Sequence, residues 1–111
     1  MINKDYFKKF SRGLEIMEGR AKGDLKEQCT GEILHIHDFG FMKGKEGEYA
    51  CIILAEDADN FYYVNSIITE ILKEIEEDGE KDSLKDVGVV FEMRTSKENP
   101  SRTYMAMNFV F

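Results

Sequence analysis

The chain has a single proline, two cysteines and no long apolar run. Each shortage excludes something. One proline and nine glycines among 111 residues leave no room for a collagen-like or proline-rich segment. No stretch approaches the roughly 20 apolar residues of a membrane span. The opening residues, MINKDYFKKF, carry no long apolar stretch behind their lysines, so no secretory signal is expected. Two cysteines in no CxxC spacing predict reduced thiols and a cytoplasmic location. There is no glycine-rich phosphate loop, no Gly-x-Ser-x-Gly and no supported Ser/His/Asp set, so no enzymatic activity and no cofactor are expected.

What is present fits one ordinary domain. The mass is 12.9 kDa, with 42% apolar and 33% charged residues. A chain of this size buries about two thirds of its unfolded surface and needs no disulfide or metal to fold. The formal charge of −7 opposes general adhesion to nucleic acid or to an anionic membrane. It is unevenly spread: residues 1–30 carry seven basic and five acidic groups, 31–60 two and seven, 61–86 three and eight, and 87–111 three and two. The middle is acidic and both ends are mildly basic, so the average does not decide what one face binds.

Periodicity predicts the elements. Phe7, Phe10, Leu14 and Met17 form a helical stripe near 3–17, and residues 18–31 read as a connector with at most one helical turn. Strands are expected at 32–42, with a bend at Gly40, then at 49–55 and 61–64, separated by turns at 43–48 and 56–60. Ile67, Ile68, Ile71, Leu72 and Ile75 make one face of a helix over 66–77, with Asn65 or Ser66 as N-cap and Gly79 as its stop. Two period-two strands, 87–95 and 103–111, are joined by SKENPSR and should pair as an antiparallel hairpin.

Five antiparallel strands with one helix between the third and fourth is the order of the OB-fold. The expectation is therefore mostly β: one domain over 1–111, with an N-terminal helix and connector at 1–30 and a five-stranded barrel at 31–111. A generic α+β sheet with one covering helix is the alternative. The N-terminal stripe lies outside the five-strand core, so the barrel or a second copy must cover it, and a homodimer would do so.

The chemical candidates are few. His35 and His37, two apart in a strand, would share a face but lack a third ligand at any supporting spacing, so no metal is expected. Asp57 and Asp59 resemble part of a calcium loop, without its glycine or distal glutamate. Cys51 reads as a buried structural thiol and Cys29 as an exposed one. The acids between Glu74 and Asp82 read as a solvated helix face. Binding interest lies in residues off the core stripes. Lys43 and Lys45 stand near Phe41 and Tyr49 in loop 40–48. Arg94, Lys97 and Arg102 flank loop 96–102 beside Tyr104. Of Tyr62 and Tyr63, one must leave the core. Cations beside aromatic faces suit single-stranded nucleic acid, because cations track phosphates while rings stack bases.

The segments MEGRAKGDL (17–25), ILHIHDFGF (33–41), GEYACII (47–53), NFYYVNSIITEIL (60–72) and SKENPSRTYMAMNF (96–109) resemble small phage- and prophage-type single-stranded DNA-binding proteins of Gram-positive hosts. The resemblance runs from about Phe7 to Phe111. It implies an OB-fold and sequence-nonspecific binding of single-stranded DNA in phage DNA replication or recombination, alongside the proteins of those processes. It places Lys43, Lys45, Arg94, Lys97 and Arg102 on phosphates and Phe41, Tyr49, Tyr62 and Tyr104 on bases. Two departures stand out: the chain ends at Phe111 without the long acidic-tipped tail of bacterial relatives, and its net charge is negative. The charge supports an alternative, a protein–protein adaptor or inhibitor on an OB scaffold, with an acidic surface imitating DNA. An uncharacterised phage accessory role is a further one.

Overall fold

A computed structural model describes residues 15–111. The expected helix near 3–17 lies mostly outside the described residues, as do Phe7, Phe10 and Leu14. The described residues are mostly β. Seven strands form: β1 (Ala21–Lys22), β2 (Ile33–Leu34), β3 (Ile36–Gly44), β4 (Gly47–Leu54), β5 (Asp57–Tyr63), β6 (Gly88–Thr95) and β7 (Thr103–Val110). Besides the helical residues 15–17, three helices accompany them among the described residues: α1 (Leu25–Cys29), α2 (Ser66–Glu77) and α3 (Lys81–Leu84).

The strands make two sheets, ordered β1-β5-β4-β3 and β2-β6-β7, and neither closes into a barrel. β1 runs parallel to β5, while every other pairing between these strands is antiparallel. Seven strands rather than five arise because the expected strand 32–42 is divided and because β1 is additional. β2 and β3 are separated only by His35. β2 pairs with β6 and β3 with β4, so one stretch of chain passes from the second sheet to the first.

The register explains the core. Between Ile36 and Asp38 the β3–β4 ladder shifts by one residue, and His37 is the extra residue. A one-residue insertion reverses which face later side chains occupy. Ile36 is buried before the bulge, and Phe39 and Phe41 are buried after it. Without it Asp38 and Gly40 would point inward. The irregularity thus lies at His37, and Gly40 pairs normally with Cys51. From the facing strands come Ala50, Ile52, Leu54, Tyr62, Val89, Phe91, Met105 and Met107, which fill the space between the sheets.

The β6–β7 hairpin is antiparallel as expected, and its register is one-to-one, from Gly88 opposite Val110 to Thr95 opposite Thr103. The turns are shorter than the sequence suggests. Gly44 pairs with Gly47 and Leu54 with Asp57, leaving two-residue connections at 45–46 and 55–56. β5 therefore begins at Asp57, inside the expected turn 56–60.

Helix α2 buries Ile68, Thr69 and Leu72, while Ile67 is exposed, so the apolar face is narrower than expected. Thr69 Oγ1 accepts from the Ala50 N–H at 3.1 Å, fixing the helix on β4. Asn65 caps it, with Oδ1 accepting from the Ile68 N–H at 2.9 Å. Its Nδ2 donates to the Met105 carbonyl at 2.7 Å, so one side chain ties the helix start to β7. At the other end Gly79 takes φ +76°, a left-handed conformation suited to glycine after a helix.

Candidate nucleic-acid interface

β5 and β7 are the strands left unpaired with each other where the two sheets meet. A groove of about 780 Å³ opens there. One wall carries Lys22, Lys26 and Tyr63, and the other Thr103, Tyr104 and Met105. Asn65 lies in it and bridges the walls through its bond to Met105.

Strand phase decides which aromatics reach this surface. On β5, Tyr62 faces Ile52 across the ladder and is 1% exposed, whereas Tyr63 faces Cys51 and is 36% exposed. The tyrosine that leaves the core is therefore Tyr63. The Tyr62 hydroxyl donates to the Asp57 carboxylate, and Asn60 Nδ2 donates to the same group at 2.9 and 3.1 Å. Burial pushes the Tyr62 phenol up, and its bond to Asp57 adds to the effect. Gly23 passes directly over this ring: a Cβ there would lie 2.3 Å from Tyr62 Cε1.

Tyr63 is the hub of a ring cluster. Tyr49 meets it edge-on at 5.5 Å between centroids, Phe61 does so at 5.4 Å, and Lys22 Nζ sits 5.3 Å from its centroid. A cation over a ring face adds attraction beyond simple packing. β1 holds Lys22 in place through its parallel pairing with Phe61. Helix α1 carries Lys26, and its N-cap Asp24 uses a carboxylate oxygen to accept from the Glu27 N–H at 3.2 Å. Asp24 also lines the groove, so one carboxylate stands between the two lysines there.

The nine residues singled out from the sequence separate into groups. Phe41 and Tyr62 are core side chains, 3% and 1% exposed. No base can stack on them in this fold. Tyr49 and Tyr104 are half-buried surface residues. Arg94 stands opposite Tyr104 on the outer face of the hairpin. It is held by Glu92 at 2.7 and 2.9 Å and by Asn108 at 2.8 Å. The Glu92 carboxylate raises the Arg94 pKa, and Arg94 in turn lowers that of Glu92. Its charge is already matched. Lys97 and Arg102 are exposed in the β6–β7 loop and make no ion pair with a described residue. That loop is shaped by Asn99, whose Oδ1 accepts from the Ser101 N–H at 3.2 Å, and by the Ser96 N–H donating to the Arg102 carbonyl at 3.0 Å. Lys43 and Lys45 are exposed at the tip of the β3–β4 hairpin, where Lys43 faces Glu48.

Of the cations and aromatics that line the groove, three were not singled out: Lys22, Lys26 and Tyr63. Tyr63 had a partial signal, since one of the tyrosine pair had to emerge. The lysines had none, because segment 18–31 lacks periodicity and only its seating on β5 and β6 places them.

The other candidates resolve plainly. His35 Nδ1 lies 2.7 Å from Glu56 Oε2, while His37, the bulge residue, is exposed. No group of three or more potential ligands that could hold a metal occurs among the described residues. Both cysteines are buried thiols, so Cys29 is not the exposed thiol expected. Burial, with Asp38 nearby, pushes the Cys51 thiol up to about 11. No helix among the described residues is long and apolar enough to cross a membrane. Comparison with protein-family models, curated proteins and solved structures gives no match.

Proposed function

We propose that the chain binds single-stranded DNA without sequence preference, along the groove between β5 and β7. Carrying this reading is that Tyr63 and Tyr104 line one groove together with Lys22 and Lys26. Stacking needs exposed ring faces, and phosphates need cations nearby; neither reads a base. Tyr49 extends the aromatic track from Tyr63 toward the Lys45 hairpin tip. Lys97 and Arg102 extend the cationic side from the start of β7. Relative to the sequence-based set, Tyr63 replaces Tyr62, Phe41 drops out, and Lys22 and Lys26 join.

The strand arrangement supports an OB-type reading. With β2 and β3 counted as one strand shared by both sheets, the order is that strand, β4, β5, helix α2, β6, β7. The open seam then falls between β5 and β7, where the groove lies. OB-folds are partly open barrels that take oligonucleotides across their second and third strands, here β4 and β5. A role in phage or prophage DNA replication or recombination is the corresponding proposal. Titration with labelled poly-dT at two salt concentrations tests it: binding should be measurable at low salt and weaken as salt rises. Absence of binding at low salt would overturn the reading.

A further inference from the structure

A second groove, of about 330 Å³, opens at the opposite end of β7. Its floor is apolar: Ile71 and Ile75 from α2, Leu84 from α3, then Val87 and Phe109, with the fully exposed Phe111 at the lip. Its polar rim is acidic: Glu74, Asp78 and Glu80 line it, with Ser83, and among the described residues no lysine or arginine does. Of the three lysines nearby, Lys85 is exposed at the end of α3 and the other two are committed elsewhere. Lys81 Nζ lies 3.0 Å from Asp38, donates to the Phe39 carbonyl at 2.9 Å and sits 4.6 Å from the Phe39 ring. Lys73 Nζ lies 3.8 Å from Glu48 and 3.9 Å from Glu70. These three ion pairs direct both lysines to carboxylates other than Glu74, Asp78 and Glu80.

We propose that this groove docks a basic amphipathic segment of a partner protein, its apolar side chains on the Ile71–Ile75–Phe109 floor and its lysines or arginines against Glu74, Asp78 and Glu80. The volume is at the lower end of the roughly 300–1,000 Å³ of binding clefts, enough for a few side chains. Charge selects the occupant. Two copies meeting groove to groove would bring the same three carboxylates together, and like charges brought together oppose association. Nucleic acid and anionic lipid are disfavoured for the same reason. A helix that lays apolar residues at positions i, i+3, i+4 and i+7 into a groove, flanked by cations, satisfies both floor and rim. The site lies about five residues along β7 from Tyr104, roughly 17 Å at 3.4 Å per residue, and does not depend on the DNA reading.

The test uses the full chain and a fluorescein-labelled synthetic helix with leucines on one face and lysines on the others. Two controls accompany it: the same composition scrambled, and the same pattern with glutamates replacing lysines. Anisotropy at low salt should show the patterned lysine probe binding at least ten-fold tighter than either control. Amide shift changes should cluster at Ile71, Ile75, Leu84, Val87 and Phe109. The double variant Glu74→Lys/Glu80→Lys, both sites exposed, should weaken probe binding ten-fold or more while leaving poly-dT titration no weaker. Equal binding of the scrambled probe, shift changes centred on Tyr63 and Tyr104, or unaltered affinity in the double variant would overturn the proposal. Groove resonances that move with protein concentration before probe is added would assign the face to a second copy and overturn it too.

Discussion

Tyr62 and Tyr63 are adjacent and chemically identical, yet they have opposite surroundings and should respond oppositely to substitution. Tyr63→Ala removes a ring from the groove and should weaken poly-dT binding by about 1–3 kcal/mol, as should Tyr104→Ala, read by anisotropy with folding checked by circular dichroism. Tyr62→Ala opens a core cavity and should lower stability by about 3–5 kcal/mol in urea, as large aromatic truncations do. The Asp57 carboxyl is held below its usual range by the Tyr62 hydroxyl and then by the Asn60 amide. A depressed carboxyl favours folding in its ionised form. That contribution is therefore present above the unfolded value of about 3.9 and is lost as pH falls through the folded one. The urea midpoints of wild type and Asp57→Asn should accordingly converge as pH drops below about 4.

At the scale of elements, the joints between sheets matter more than the strands themselves. Asn65 caps α2 and donates to β7 with different atoms of one amide. Asn65→Asp keeps the capping oxygen and loses the donor, while Asn65→Ala loses both. Cap removal costs about 0.5–2 kcal/mol, and an unmade buried hydrogen bond about 1–3 kcal/mol. Stability by urea unfolding should thus fall in the order wild type, Asp, Ala. The turn before α1 is a second joint. Gly23→Ala would force the Tyr62 ring aside and should destabilise the chain despite being a one-carbon change. The hairpin strands β6 and β7 were legible from their alternation alone. Of β5 only the second half, Phe61–Tyr63, was legible, because its first half, Asp57–Asn60, is mostly polar. It is held as strand by the Leu54–Asp57 pairing and by Ala21 pairing with Asn60. Helix α3 and strand β1 are too short for any period to register.

For the whole molecule, the balance lies between a net charge of −7 and a local surplus of cations at one groove. The negative total slows approach of a polyanion, so affinity should be modest. Counterion release still sets the salt response, about −0.7 per phosphate neutralised on single strands, so four contacting cations give a log–log slope of about −3. Removing Lys97, Arg102 or Lys22 should flatten that slope by about one phosphate's share. Arg94→Ala should leave it nearly unchanged, because Glu92 already neutralises that guanidinium.

The sequence by itself determined the mostly β character, the β6–β7 hairpin, the span of α2 and the residues that start and stop it. These follow from period, caps and turn residues within a few positions of one another. It also marked Tyr49, Tyr104, Lys97 and Arg102 as surface residues, because they fall off apolar stripes. Only the tertiary structure decided that Phe41 and Tyr62 are core, that Tyr63 emerges, and that Lys22 and Lys26 join it. The face a side chain occupies in a strand that is apolar on both sides depends on its partner strand and on the bulge at His37. The position of a connector without periodicity depends on the surface it settles against. Both are set by contacts between residues distant in the chain, such as Lys22 with Tyr63 and Asn65 with Met105.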